Sequence, residues 1–378
     1  MRNTSTKIRV GITGQPGFIG THLYNYLGLC ADIERVPFSD DYFDDSERLT
    51  EFVSRCDTVI HLAAVNRHED AKILHDTNIE LAEKLIRALD AAGNTPHVIF
   101  SSSTQEHRDN LYGRSKRIGR ELLMDWARRR QAPFAGLIIP NVFGPFSRPF
   151  HNTVIATFSQ QIVDNKEPVI EIDAELSLIY INDLVALIYR AIKERIRLDE
   201  WVVEPSFQAQ VSKILARLLY FKKTYLQEGM IPDLSDPFDL CLYNTLRSFL
   251  PVHFFPREYK LHADDRGAFV ELVKSANGGQ TSFSTTHTGI IRGNHFHTRK
   301  VERFMVIRGQ AEMQLRRIGT EAVITYQLSG DRPSYVDIPV WHTHNIRNTG
   351  QDDLYTVFWI NEMFNPEDTD TFYEKVVD

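Results

Sequence analysis

The sequence predicts an α/β domain built on a doubly wound parallel sheet, followed by an all-β barrel. Three observations carry this expectation. Residues 7–12 (KIRVGI) read as a strand that runs through Thr13 into Gly14-x-x-Gly17-x-x-Gly20 and on into a helical pattern. Strand and helix patterns then alternate, as they do when crossover helices cover both faces of a parallel sheet. After Pro251 the helical patterns stop, and short β-rich runs follow one another between turn residues, the spacing of an antiparallel barrel or sandwich.

In chain order, the helix after the glycine turn is FIGTHLYNYLGL and the second strand is 33–36 (IERV). Strands follow at 57–62 (DTVIHL), 96–101 (PHVIFS) and 136–139 (GLII), with helices between them at 78–91 and 113–129. Helices at 183–196 and 210–226 suggest a small substrate lobe, and 232–250 reads as a helical bridge. The β-rich runs are AFVELV, ERFMVIRG, AEMQLRR, AVITYQL, SYVDIP and LYTVFWI. The boundary is placed at 250, giving domains 1–250 and 251–378.

Composition bounds the function. The 378 residues, 42% apolar and 25% charged, are those of a globular chain of about two domains. A net charge of −7 with no basic patch argues against a nucleic-acid partner. No apolar run is long enough to insert in a membrane, and MRNTSTKIRV lacks the apolar core of a secretory signal. Cys30, Cys56 and Cys241 are scattered and form no Cys-x-x-Cys pair. That suits a reducing cytoplasm and argues against cysteine-based zinc.

Glycines on such a turn let the backbone approach a pyrophosphate, and the N-terminus of the following helix favours its charge. A nicotinamide dinucleotide is therefore expected on Gly14, Gly17, Phe18, Ile19 and Gly20. Tyr112 and Lys116, spaced i,i+4, share one helix face. A phenol near an ammonium has a lowered pKa and serves as an acid or base at neutral pH.

These motifs sit among others: Asp57-Thr-Val-Ile-His61-Leu62-Ala63-Ala64, Ser101-Ser102-Ser103, Pro140-Asn-Val-Phe-Gly144-Pro145 and Tyr180-Ile-Asn-Asp183. Together they resemble the extended short-chain dehydrogenases/reductases, which have a Rossmann-type fold. The resemblance implies cofactor contacts from Asp57, Leu62, Ala63, Ala64 and Lys116. It also implies a catalytic set in which Ser103 polarises a carbonyl, Tyr112 is the acid and Lys116 tunes it. Ile138 departs from the family, which often carries Arg there. Asp40 and Asp41 fall a little late after the second strand to bind a ribose diol and favour NAD. Arg35 and Arg67 are alternatives that would hold the 2′-phosphate of NADP.

In the back part, Gly289-x5-His295-x-His297-x4-Glu302-x6-Gly309 resembles the first cupin motif, and Pro339-Val-Trp-His342-Thr-His344-x3-Asn348 part of the second. Alternation along a strand sends His295 and His297 to one face. With Glu302 and His344 from neighbouring strands they form a ligand set suited to Zn, or to Fe, Mn or Ni. His287 and His342 are not expected as ligands, and His342 is read as a surface residue with a proton carrier as the alternative. Asp265-Arg266-Gly267-Ala-Phe269-x-Glu271 and Gly289-Ile-Ile-Arg292-Gly293-x-His295 resemble segments of the 4-keto-deoxysugar epimerases of the deoxyrhamnose pathway. Those enzymes use the histidine of this segment as a base, and His295 is not expected to be both base and ligand.

An extended reductase joined to a cupin is similar, over nearly the whole chain, to the CapF-type capsular polysaccharide synthesis enzymes. Further residues carry the likeness: Val65-Asn66-Arg67, Asn110-x-Tyr112-Gly113-x-Ser115-Lys116, Asn152-x-Val154, Thr343-His344-Asn345-Ile346 and Asn361-Glu362-Met363-Phe364. Arg292 stands where that family has a lysine, and Trp341 where a glycine is usual. The resemblance implies a UDP-2-acetamido-2,6-dideoxy-4-ketohexose, epimerised at C3 by the cupin. NADPH-dependent reduction at C4 then gives UDP-2-acetamido-2,6-dideoxy-L-talose, toward UDP-N-acetyl-L-fucosamine for surface polysaccharide. Both families commonly form homodimers. Two other readings fit the residues. The front domain is a 4-epimerase or 4,6-dehydratase that retains NAD, with Thr104-Gln105-Glu106 supplying an acid; or the cupin is a binding and dimerisation module.

Overall fold

Residues 7–151, 153–259, 262–264, 267–269, 273, 275, 279–362 and 365–377 are described by the structure, a computed structural model. β1 (Ile8–Thr13) leads into α1 (Phe18–Gly28), β2 (Ile33–Val36), α2 (Ser46–Ser54) and β3 (Thr58–His61). α3 (Ala71–Ala92), β4 (His97–Ser103), α4 (Leu111–Arg130) and β5 (Phe134–Ile139) follow. β6 (Asn141–Phe143), α5 (Val154–Val163), β7 (Glu175–Tyr180), α6 (Ile181–Glu194), β8 (Leu198–Val202) and β9 (Phe207–Gln210) continue the chain.

Among the described residues, the main sheet is parallel in the order β2-β1-β3-β4-β5-β8. This is the doubly wound, Rossmann-type arrangement. The chain turns one way from β1 to β2 and the other way to β3. The crevice beyond the carboxyl ends of β1 and β3 is therefore the switch point where such sheets take ligands. Val59, Leu85, Leu89, Leu123 and Trp126 pack one face of the sheet against α3 and α4. The helix expected from 78 starts at Ala71, because the Asp70 carboxylate caps the backbone N–H groups of Lys72 and Ile73. It ends at Gly93, whose φ of +70° suits a residue without Cβ.

By its contacts the chain divides into two units: Met1–Thr157 with Ile170–Ser212, and Phe158–Val169 with Lys213–Asp378. In the second, α7 (Val211–Phe221) runs into a π-helical turn over 222–227 that buries Tyr225, and α8 (Pro237–Arg247) follows. Then come β10 (Arg257–Glu258), β11 (His262–Asp264), β12 (Gly267–Phe269), β13 (Gln280–Thr286), β14 (Ile291–Phe296), β15 (Glu302–Arg308) and β16 (Gln310–Arg317). β17 (Val323–Ser329), β18 (Ser334–Ile338), β19 (His342–Asn348), β20 (Leu354–Ile360) and β21 (Phe372–Tyr373) close the order. Among the described residues they form two five-stranded antiparallel sheets, β10-β18-β15-β20-β13 and β17-β16-β19-β14-β21, and a two-stranded one, β11-β12.

The switch from helix to strand comes after Pro251, where the sequence places it. The compact unit nevertheless reaches back to take in the helices before it. Arg303 explains this: it donates to Asp337 at 2.7 and 3.0 Å, and to the carbonyl of Gly229 at 2.9 Å. Tyr225 also donates to Asp337, and its ring meets Tyr243 of α8 at 5.0 Å. Of the expected run AFVELV, residues 270–272 lie outside the described residues, as do Asn152, Asp265, Arg266, Glu271, Met363 and Phe364. No helix of the described residues is long and apolar enough to cross a membrane.

Candidate functional site

The front site is built at the carboxyl ends of β1, β3 and β4. Gly14 has φ +71°, and a Cβ there would lie 2.7 Å from the backbone of Ala63. A Cβ on Gly20 would lie 2.3 Å from the carbonyl of Gly14. Only hydrogen fits at either place, so the turn sits tightly between β3 and α1. Gly17 opens α1 without a side-chain bond, so no side chain caps the first backbone N–H groups of the helix, at Phe18 and Ile19. Leu62 joins the turn through its N–H to the carbonyl of Thr13 at 3.1 Å, and Ala63 and Ala64 follow it. This cradle fits a pyrophosphate.

Asp57 is a correction. It precedes β3, beside Arg9 at the amino ends of the strands, whereas the glycine turn lies at the carboxyl ends. Its carboxylate is bound by the Arg9 guanidinium at 2.8 Å, which holds its pKa below the usual range. The motif residue closes the sheet's far end and is not brought to the dinucleotide cradle. The two candidate 2′-phosphate arginines are also engaged: Arg35 donates to the carbonyl of Tyr24 at 3.0 Å, and Arg67 to that of Phe150.

Ser103 ends β4 and is half-buried, whereas Ser101 and Ser102 are buried. Ser101 donates to the carbonyl of His61, and Ser102 to Glu106, whereas the Ser103 hydroxyl oxygen accepts from the N–H of Gln105 at 3.2 Å, which orients it and leaves its proton to donate. α4 brings up the other two residues. Asn110 caps it by accepting from the N–H of Gly113 at 2.7 Å. A Cβ on Gly113 would lie 1.9 Å from the carbonyl of Gln105, so glycine is what lets α4 close on the turn after Ser103. The Tyr112 hydroxyl donates to Asn66 at 3.2 Å. Lys116 is buried, its ammonium 5.1 Å from the centre of the Phe100 ring.

The electrostatics differ from the expected lowering of the phenol. Burial pushes Tyr112 up to about 12, and burial pushes Lys116 down to about 8 although Glu106 opposes it. In this geometry desolvation sets the phenol. Two supports stand behind this set: Asn78, which was not singled out in the sequence, and Glu106, which was read there only as a candidate dehydratase acid. Asn78, buried inside α3, accepts from the N–H of Val65 at 2.7 Å and donates to its carbonyl at 3.0 Å, which holds the loop carrying Asn66. Glu106 and Arg120 form a buried two-pronged ion pair at 2.9 and 3.1 Å. A polar residue on the apolar face of a helix was the available signal for Asn78 in α3 and Arg120 in α4.

The back site lies within the second unit. One ligand atom from each of His295, His297, Glu302 and His344 lies within 4.8 Å of the others. β14 and β19 pair His295 directly with His344 across a bulge at Gly293 and Asn294, and Glu302 opens β15. Gly293 has φ +104°, and a Cβ there would lie 2.8 Å from the His344 carbonyl. The Nε2 atoms of His297 and His344 stand 3.2 and 3.3 Å from a Glu302 oxygen, at angles that make no hydrogen bond. Buried polar atoms left so are costly unless something binds between them, and this donor set is that of a divalent metal.

Three of the four protonation states suit that role; His297 is raised, since burial lowers it but Glu302 and the Asp370 carbonyl prevail. Glu302 is lowered to about 2, since burial raises it but His297, His344 and His295 together prevail. His344 is lowered to about 3, chiefly by burial. The four residues line one side of a cavity of about 440 Å³, with Phe304, Phe358 and Met313 among its apolar walls and Arg292 and Lys300 among its cations. His342 is buried rather than on the surface, and burial lowers it to about 4. His287 is exposed and pairs with Asp353 at 2.8 Å. Trp341 has φ +58°, which is why a glycine is usual at its position; it is held by stacking on Phe296 at 5.6 Å.

Residues 10–202 match the NAD dependent epimerase/dehydratase family, and residues 262–372 the polysaccharide biosynthesis C-terminal domain. A UDP-2-acetamido-2,6-beta-L-arabino-hexul-4-ose reductase of Pseudomonas aeruginosa is 34% identical over 97% of this chain and 98% of its own. The crystal structure of the capsular polysaccharide assembling protein CapF from Staphylococcus aureus is 33% identical and superposes with a TM-score of 0.61, covering 98% of this chain and 100% of that one. This chain belongs to the CapF-type family. The spore coat polysaccharide biosynthesis protein SpsL of Bacillus subtilis is 27% identical over 29% of this CapF-type chain and 79% of its own.

Proposed function

We propose that this CapF-type chain inverts C3 of a UDP-2-acetamido-2,6-dideoxy-4-ketohexose in its back domain. It then reduces the C4 ketone in its front domain with NADPH. The product is UDP-2-acetamido-2,6-dideoxy-L-talose, on the way to UDP-N-acetyl-L-fucosamine for surface polysaccharide in the cytoplasm. What supports the reading is two sets of residues in one chain, each within its own unit: Tyr112, Lys116 and Ser103 beside a dinucleotide cradle, and a buried histidine-carboxylate quartet that lines a cavity.

In the front site a bound nicotinamide supplies the hydride that C4 receives. Ser103 donates to the ketone oxygen. Tyr112 then gives that oxygen its proton, so a C–H and an O–H bond form as the carbonyl π bond breaks. A phenol near pKa 12 holds its proton at neutral pH, as an acid must. Lys116 returns positive charge beside the phenolate left behind.

In the back site a bound divalent ion, zinc in this reading, supplies positive charge for a developing oxyanion. His295, His297, Glu302 and His344 hold it. C3–H is acidic only while C4 is a ketone, so inversion precedes reduction.

The dehydratase alternative needs an acid beside the serine, but Glu106 is turned inward onto Arg120 and Ser102. The reductase reading is tested by following nicotinamide absorbance with the 4-keto sugar nucleotide. Stoichiometric loss of NADPH supports it; turnover of the sugar with no net nicotinamide consumption contradicts it.

A further inference from the structure

We propose that Asp370 is a positioning residue of the metal quartet, one that fixes the ligand nitrogen of His297 and the segment running from His297 toward Glu302. It is buried, and its backbone has φ +41°, a conformation uncommon outside glycine that aspartate and asparagine adopt more readily than most. Its carboxylate holds the segment. One oxygen accepts from the N–H of Thr298 at 3.1 Å and from its hydroxyl at 2.6 Å. The other accepts from the N–H groups of Arg299 and Lys300, each at 3.0 Å. Asn361 continues the bracing by accepting from the N–H of Val301 at 2.9 Å.

The turn so formed aims the Asp370 carbonyl at His297. Nδ1 of His297 donates to it at 2.5 Å. A carbonyl can only accept, so the proton sits on Nδ1 and the lone pair on Nε2, the atom that faces Glu302 and His344. His344 has a looser support, with Nδ1 at 3.4 Å from the carbonyl of His342. Asp370 thus sets His297 twice, through its side chain and through its main chain, from a segment distant in sequence from the cupin motifs.

The inference rests on the metal reading of the quartet. Its test uses the full-length chain, zinc ion as the probe and competition with a chromophoric chelator. Asp370→Gly keeps the left-handed backbone and removes the carboxylate; Asp370→Asn keeps the shape but turns an amide toward backbone N–H groups. Both should weaken zinc binding by roughly 10–100-fold, the usual effect of losing a residue that orients a metal ligand. The rise in unfolding temperature on adding zinc should shrink as well. A purely structural role would lower the unfolding temperature with and without zinc alike and leave the affinity unchanged, and that result overturns the proposal. Wild-type protein that binds no zinc would instead overturn the metal reading itself.

Discussion

At the scale of single residues, Tyr112 carries the reductase proposal. Tyr112→Phe should leave NADPH binding intact and reduce turnover by about 10²–10⁴-fold, the usual worth of a positioned general acid. Unchanged NADPH consumption would rule the role out. A second residue predicts a pH effect. His61 is fully buried, with Nδ1 2.7 Å from the Thr13 hydroxyl, and burial lowers it from 6.5 to about 3. The unfolded chain takes up a proton below pH 6.5 and the folded one refuses it. Stability is therefore full above that pH and is lost as pH falls toward 3. Between pH 7 and 5 this residue alone should cost about 2 kcal/mol. His61→Gln should flatten that part of the acid limb in denaturant titrations; an unaltered limb would mean that other groups dominate.

The quartet was legible as residues because spacing and chemistry coincide at four positions. Asp57 was misread because a motif gives order along a strand but not which end of the sheet the ligand occupies. The pKa of Tyr112 was misread because sequence shows the neighbouring ammonium and hides the burial of both groups.

At the scale of elements, α4 and the turn after β4 act together. The Glu106–Arg120 pair lies under Ser102, and Gly113 lets the helix touch Gln105. Glu106→Gln keeps one acceptor for Arg120 but removes the buried charge opposite it, leaving the exposed Glu200 as its counter-charge beside the Asp199 carbonyl. A loss of about 3 kcal/mol is expected, toward the lower end for a broken buried pair. Thermal unfolding of the variant checks it, and a change below about 1 kcal/mol would show that the pair contributes little. In the back unit, His297→Ala should lower zinc content and unfolding temperature together, since coordination energy is folding energy.

Strand patterns such as FMVI and ITYQL were legible from alternation. β14 and β19 were legible only through their histidine motifs, and β13 was not marked, since its run Gln-Thr-Ser-Phe-Ser-Thr-Thr holds a single apolar residue and its Ser282 and Ser284 line the cavity. Burial of polar residues for function erases the signal that marks a strand.

At the scale of the molecule, the order of two kinds of domain was legible from the change in periodicity at Pro251. The extent of the second unit was not, because it depends on contacts such as Arg303 with Gly229 and Tyr225 with Asp337. A fragment beginning at 252 lacks these partners. A fragment of 213–378 should therefore unfold at a higher temperature than one of 252–378; equal stabilities would show that the helices are dispensable.

The central claim is that one chain inverts C3 before it reduces C4. It is tested most directly by NMR of the UDP-linked 4-keto sugar with the full-length protein in D₂O, without NADPH. Deuterium should appear at C3, should fail to appear after the metal is removed, and should be retained in the alcohol formed once NADPH is added. NADPH oxidation to an alcohol that carries its original C3 proton and configuration would contradict the account.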